Sequence, residues 1–190
     1  MTLIVMRHGQ SEADLLDVCE GRADFNLTEL GKLQVKSTSE KLSAEYKIDR
    51  IYSSTLKRAK QTAEILNSCA NSDIEYLDDL MEFNNGLIAG LPKKEVGIKF
   101  PKDPDLPYDK AMYGMESQKE FRIRAEKALS YIFSNTKEHE TIAVVSHGGM
   151  INMLYQSFLE MPLPSVTSCG TGDAGYHIWK IENGIRAVIT

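Results

Sequence analysis

"TIAVVSHGGMINMLYQSFL", residues 141 to 159, decides the fold. Residues 141–147 form an apolar, β-branched run, the pattern of a strand covered on both faces. From Gly148 the sequence reads as a helix that starts straight after Ser146-His147. The opening of the chain has a matching strand. "TLIVM" (2–6) is equally apolar and stops abruptly at Arg7-His8-Gly9. Two buried strands, each ending in arginine, serine or histidine, are the frame of the molecule.

The remaining elements fit around that frame. A helix is predicted over 27–46, with Thr28 as its N-cap. A short strand over 49–54 leads into a helix over 55–69, whose Leu56, Ala59, Ala63 and Leu66 share one face. "IEYL" (74–77) is a weaker strand. Ser117 and Glu120 form a capping box that starts a helix with Phe121, Ala125, Ala128, Leu129, Ile132 and Phe133 on its apolar face. "GYHIWKI" and "IRAVIT" pair as a closing hairpin across Asn183-Gly184. Strands alternating with helices in this way predict an α/β fold: a three-layer α/β/α sandwich around a mostly parallel sheet. The whole of 1–190 reads as one domain. Residues 84–116, with Pro92, Pro101, Pro104 and Pro107, are expected to be mostly loop and to lie over the site as a lid or cap.

Composition narrows the function. The 190 residues are 42% hydrophobic and 26% charged, and the net charge is −5 with no block of lysine and arginine. A sequence-independent nucleic-acid binder needs a basic face, so nucleic acid is not an expected partner. No stretch reaches the roughly 18 apolar residues of a membrane span, and "MTLIVM" does not read as a signal peptide. The three scattered cysteines, Cys19, Cys69 and Cys169, suit a reduced compartment, and the expected location is the cytoplasm. There is no G-x-x-x-x-G-K-[ST] loop and no H-E-x-x-H, and Asp103 and Asp105 straddle a proline. The expected chemistry therefore runs without a metal and without a cofactor.

In open α/β sheets, ligands bind beyond the carboxyl ends of the strands. Three predicted strands end here in anion-binding groups. They are Arg7-His8-Gly9, Ser53-Ser54 with Arg58 a helical turn on, and Ser146-His147-Gly148-Gly149 at a helix start. Side by side, they would bring two arginines, two histidines and free helix N–H groups to one spot, which makes a phosphate pocket. Taken singly, each piece also suits a solvated turn or a surface helix. His139 and His177 read as structural, and the cysteines as core filler.

The ordered set "RHGQS", "GRADFNLTELGKLQ", "SSTLKRAKQTA", "MEFNNGLIAG" and "SHGG" resembles the histidine phosphatase superfamily, which includes cofactor-dependent phosphoglycerate mutases and their phosphatase relatives. The resemblance covers nearly the whole chain and implies a phosphoglycerate mutase-like fold. It also implies that His8 is the nucleophile that becomes phosphorylated and that Arg7, Arg58 and His147 bind phosphate. It makes Glu82 the acid/base carboxylate; the residues alone do not separate Glu82 from Glu75, Asp78 or Asp79. "GLIAGL" (86–91) is expected to desolvate that carboxylate in part. Gly148, at the helix start, joins the phosphate-binding set.

The chain departs from the family at Asp14, where many members carry asparagine, and at Glu20, where mutases usually carry a small hydroxyl residue. Asp14 is expected at the pocket rim. Both departures favour a metal-independent phosphatase that hydrolyses phosphomonoesters through phospho-His8. A phosphoglycerate mutase and a non-catalytic phospholigand-binding protein are the alternatives. The expected partner is a small phosphorylated metabolite; monomer and homodimer are both open.

Overall fold

The computed structural model describes residues 1–189. Its strands are β1 (Thr2–Arg7), β2 (Arg50–Ser54), β3 (Asp73–Leu77), β4 (Thr141–Ser146), β5 (Tyr176–Glu182) and β6 (Ile185–Val188). Its helices are α1 (Glu12–Leu16), α2 (Glu29–Glu45), α3 (Lys57–Ala70), α4 (Lys93–Lys99), α5 (Gln118–Ser134) and α6 (Gly148–Phe158). The strands form one sheet in the order β3-β2-β4-β1-β5-β6. β1 pairs in parallel with β4, and β2 in parallel with both β4 and β3. β5 pairs antiparallel with both β1 and β6, and with β6 it forms the closing hairpin. Thr190, the last residue of the predicted closing strand, lies outside the described residues.

Side-chain alternation splits the core into two layers. Leu3, Val5, Ile142 and Val144 face α5 and α6, where they meet Ala125, Ile132, Ile151 and Leu154. Ile4, Met6, Ala143 and Val145 face α2 and α3, against Val35, Leu42, Ala63 and Leu66. Both central strands are therefore buried on both sides, and the expected three-layer arrangement is observed. α2 approaches the end of β1 so closely that a Cβ on Gly31 would lie 2.1 Å from the Gln10 carbonyl oxygen. Glycine is required there by space.

The structure differs from the sequence expectation in two short helices. α1 was not anticipated; it is held by a capping box between Ser11 and Asp14. α4 lies inside the segment expected to be mostly loop. The stretch between Pro92 and Pro101 contains no proline, and a Glu95–Lys99 pair at 2.6 Å spans one turn of it. The flanking prolines bound a helix rather than excluding one.

Candidate active site

Parallel pairing sets the site. Arg7 stands beside Ser146 in the register of β1 and β4, so His8 and His147 leave the sheet side by side. Their ring centroids are 5.1 Å apart. Ser54, the last residue of β2, reaches His147 Nε2 at 2.8 Å. Arg58 follows on the first turn of α3 and is fully buried. The three strand ends singled out in the sequence thus meet.

Each side chain is held by specific partners. His8 Nδ1 lies 2.7 Å from the Gly9 carbonyl oxygen, which only an N–H can satisfy. That fixes the proton on Nδ1 and leaves the lone pair on Nε2, where the Nε–H of Arg58 donates at 3.2 Å. Arg58 spends its other two nitrogens on the carbonyls of Ala23 and Gly21, at 3.0 and 2.8 Å. Arg7 donates to the Thr171 carbonyl at 3.0 Å and lies 3.3 Å from Asp173. Arg7 Nε and His147 Nδ1 are buried with no hydrogen-bond partner among the described residues. Gly148 packs beside the Arg7 guanidinium; a Cβ there would lie 3.8 Å from Arg7 Nε.

Burial and the charge of Arg58 hold both His8 and His147 well below the ordinary imidazole pKa of 6.5. Both rings are neutral at neutral pH. A neutral imidazole with its lone pair beside the buried Arg58 guanidinium has the chemistry to attack an anionic electrophile.

Glu82 sits at the start of α6. Its Oε2 accepts from the Gly149 N–H at 2.9 Å, and Oε1 from the N–H groups of Met150 and Phe83 at 3.1 and 2.8 Å. Its surroundings differ from the apolar shelter expected of "GLIAGL": Leu87 is 68% exposed, and backbone N–H groups hold the carboxylate instead. Asp14 lies near the rim, and its carboxylate is engaged locally. Its carboxylate accepts from the Ser11 N–H at 2.9 Å and turns onto the start of α1 rather than onto an arginine. It remains near the rim, close enough to add to the upward push on Glu20 and Asp173.

Three site neighbours went unread in the sequence or were read only as departures. Glu20 lies inside the pocket, with Oε1 3.3 Å from Arg58 Nε. Arg124, on α5, donates to the carbonyls of Asp79, Met81 and Glu82 and pairs with Glu116 at 2.6 Å. Asp173 reaches Arg7 from the loop before β5. A lone arginine on an amphipathic helix carries no local signal of such a role.

The model of the histidine phosphatase superfamily, branch 1, matches residues 3–189. The chain belongs to the histidine phosphatase superfamily. Among its relatives, phosphoserine phosphatase 1 of Hydrogenobacter thermophilus is 31% identical over 98% of this chain and 90% of its own length. A 2,3-bisphosphoglycerate-dependent phosphoglycerate mutase of Mesorhizobium japonicum is 30% identical over 96% of this chain and 87% of its own. The solved structure of Bacillus stearothermophilus YhfR superposes with a TM-score of 0.87 at 26% identity, covering all of this chain and 95% of that one. Both phosphatases and mutases thus stand among the relatives of this histidine phosphatase superfamily member. Among the described residues, no three His, Cys, Asp or Glu side chains converge to hold a metal ion, and no helix is long and apolar enough to cross a membrane.

Proposed function

We propose that this protein is a metal-independent phosphatase that hydrolyses small phosphomonoesters through a phosphohistidine on His8. The observation that carries this is the tautomer: Nδ1 is committed to Gly9, so Nε2 presents its lone pair beside Arg58. In the first half-reaction, Nε2 attacks phosphorus and the bond to the ester oxygen breaks. The Glu82 carboxyl supplies the proton that the departing alkoxide takes. In the second, water attacks the phosphohistidine, Glu82 takes up its proton, and His8 leaves as neutral imidazole.

The phosphoryl oxygens carry charge throughout. Arg7, Arg58 and His147 are the groups that would meet it, and the unpaired Arg7 Nε and His147 Nδ1 are the polar atoms with a bond to offer. Deleting one such donor costs on the order of 10²–10³ in rate.

The test is to quench the enzyme with substrate and look for an acid-labile, base-stable phosphoenzyme. His8→Asn should abolish it and reduce turnover of nitrophenyl phosphate to background. Turnover near the wild-type rate in that variant would rule out the covalent route, and complete loss of activity in chelator, restored by a divalent ion, would rule out the metal-free one. The mutase relative keeps a second reading in view. It calls for transfer to a second hydroxyl, so phosphoglycerate isomerisation should be measured beside hydrolysis. An acid inside the pocket, Glu20, argues for hydrolysis, because a bisphosphate would have to sit against it.

A further inference from the structure

Among the described residues, Glu20 is the one carboxylate paired with the proposed nucleophile, His8. Its Oε2 lies 3.7 Å from His8 Nε2, the atom on which the phosphoryl group would form. Its Oε1 faces Arg58 Nε at 3.3 Å and accepts from the Ser11 hydroxyl at 2.5 Å. The side chain is 18% exposed. A phosphoryl oxygen bonded to phosphorus on Nε2 would come within touching distance of Oε2. Two anionic oxygens at that distance repel strongly in a site shielded from water. The repulsion is relieved if the carboxyl holds a proton, and it then becomes a hydrogen-bond donor.

We infer that Glu20 is a specificity-determining acid that takes up a proton from solvent when an oxyanion binds on His8 and donates it from Oε2 to that oxyanion. This rests on the pocket being the phosphoryl site. The bond count is simple: one proton from bulk water joins the carboxylate, and no other bond changes. The environment suits it. Oε1 already accepts from Ser11 and faces Arg58, so Oε2 is the oxygen left to carry the proton. Burial pushes the Glu20 carboxyl up, against the downward pull of Arg58, while Asp14 adds to the rise. The groups that face it are Arg7 and His8 from the end of β1, Ser11 and Asp14 from α1, and Arg58 from α3. In the free protein, Glu20 serves as counter-ion to Arg58; the oxyanion replaces it in that role. The site then selects monophosphates at modest pH and releases inorganic phosphate readily as pH rises.

The test uses tungstate, an oxyanion that stays doubly charged from about pH 7.5 to about pH 9, with titration calorimetry in two buffers of different ionisation heat. Wild-type protein should take up about one proton per tungstate, and its affinity should fall about tenfold per pH unit. Glu20→Gln, which donates from an amide at any pH, should bind with no proton uptake and a flat pH profile. If Glu20→Gln does not fold, Glu20→Ser supplies a hydroxyl for the same comparison. Binding without proton uptake in the wild type overturns the role of Glu20, as does unchanged uptake in the variant, which would assign the proton to a histidine. Tungstate affinity that ignores Arg7→Gln places the anion elsewhere and overturns the proposed function as well.

Discussion

Glu82 owes its position to backbone N–H groups, so a change in its neighbour should move it. A Cβ on Gly149 would lie 2.5 Å from Glu82 Oε1. Gly149→Ala should therefore displace the carboxylate while leaving His8 and Arg58 where they are. The expected outcome is a loss of roughly ten- to a hundredfold on alkyl phosphates, which need a proton on the leaving oxygen. Nitrophenyl phosphate, with its good leaving group, should be nearly unaffected. Equal losses on both substrates would count against Glu82 as the acid. Asp14 makes the opposite case: its carboxylate caps α1, so Asp14→Ala should cost about 1 kcal/mol of stability in a urea titration. At this scale the sequence was only partly informative. His8, Arg58 and His147 announce themselves by sitting at strand and helix ends. Glu82 is singled out only by the family resemblance, because several acids crowd that stretch.

Elements, by contrast, were mostly readable where burial imposes a pattern. The middle residues of β1 and β4, Leu3–Met6 and Ile142–Val145, are all apolar because α2 and α3 cover one side and α5 and α6 the other. α5 announced itself through a capping box and a one-sided apolar face. α1 has a capping box but only five residues and no one-sided apolar face behind it, and α4 has neither signal. Each is short, and local contacts hold it: Ser11 with Asp14 in one, Glu95 with Lys99 in the other. Arg124 ties α5 to the turn that carries Glu82, a tertiary relation that no local pattern encodes. The close approach of α2 to the end of β1 gives an element-scale prediction. Gly31→Ala would press a methyl group onto the Gln10 carbonyl, a backbone atom that cannot rotate away. It should destabilise by about 1–3 kcal/mol, read as a lower urea midpoint at unchanged slope. An unchanged midpoint would mean that α2 can slide without cost.

The whole molecule should respond to pH through its two buried imidazoles. Both have folded pKa values well below the ordinary 6.5, so the unfolded chain binds protons first as pH falls. The stability they contribute is fully present above about pH 6.5 and is lost as pH drops towards the folded values, at about 1.4 kcal/mol per pH unit for each proton. Glu20, pushed up, acts with the opposite sign closer to its ordinary 4.5. Urea titrations at a series of pH values should show the decline in the wild type and a shallower one in His8→Gln/His147→Gln. An equal slope in both would place the protons elsewhere. The order of the sheet has a different consequence. β4 lies between β1 and β2, although it follows both in the chain across the exposed residues 101–111. A cut in that stretch would leave the front piece with β1 cut off from the β2–β3 pair and the back piece with the wedge that joins them. Arg7, His8, Arg58 and Glu82 would be on one fragment and His147 on the other. Expressed separately, the two halves should be silent; mixed, each should serve as template for the other, and turnover should report their reunion.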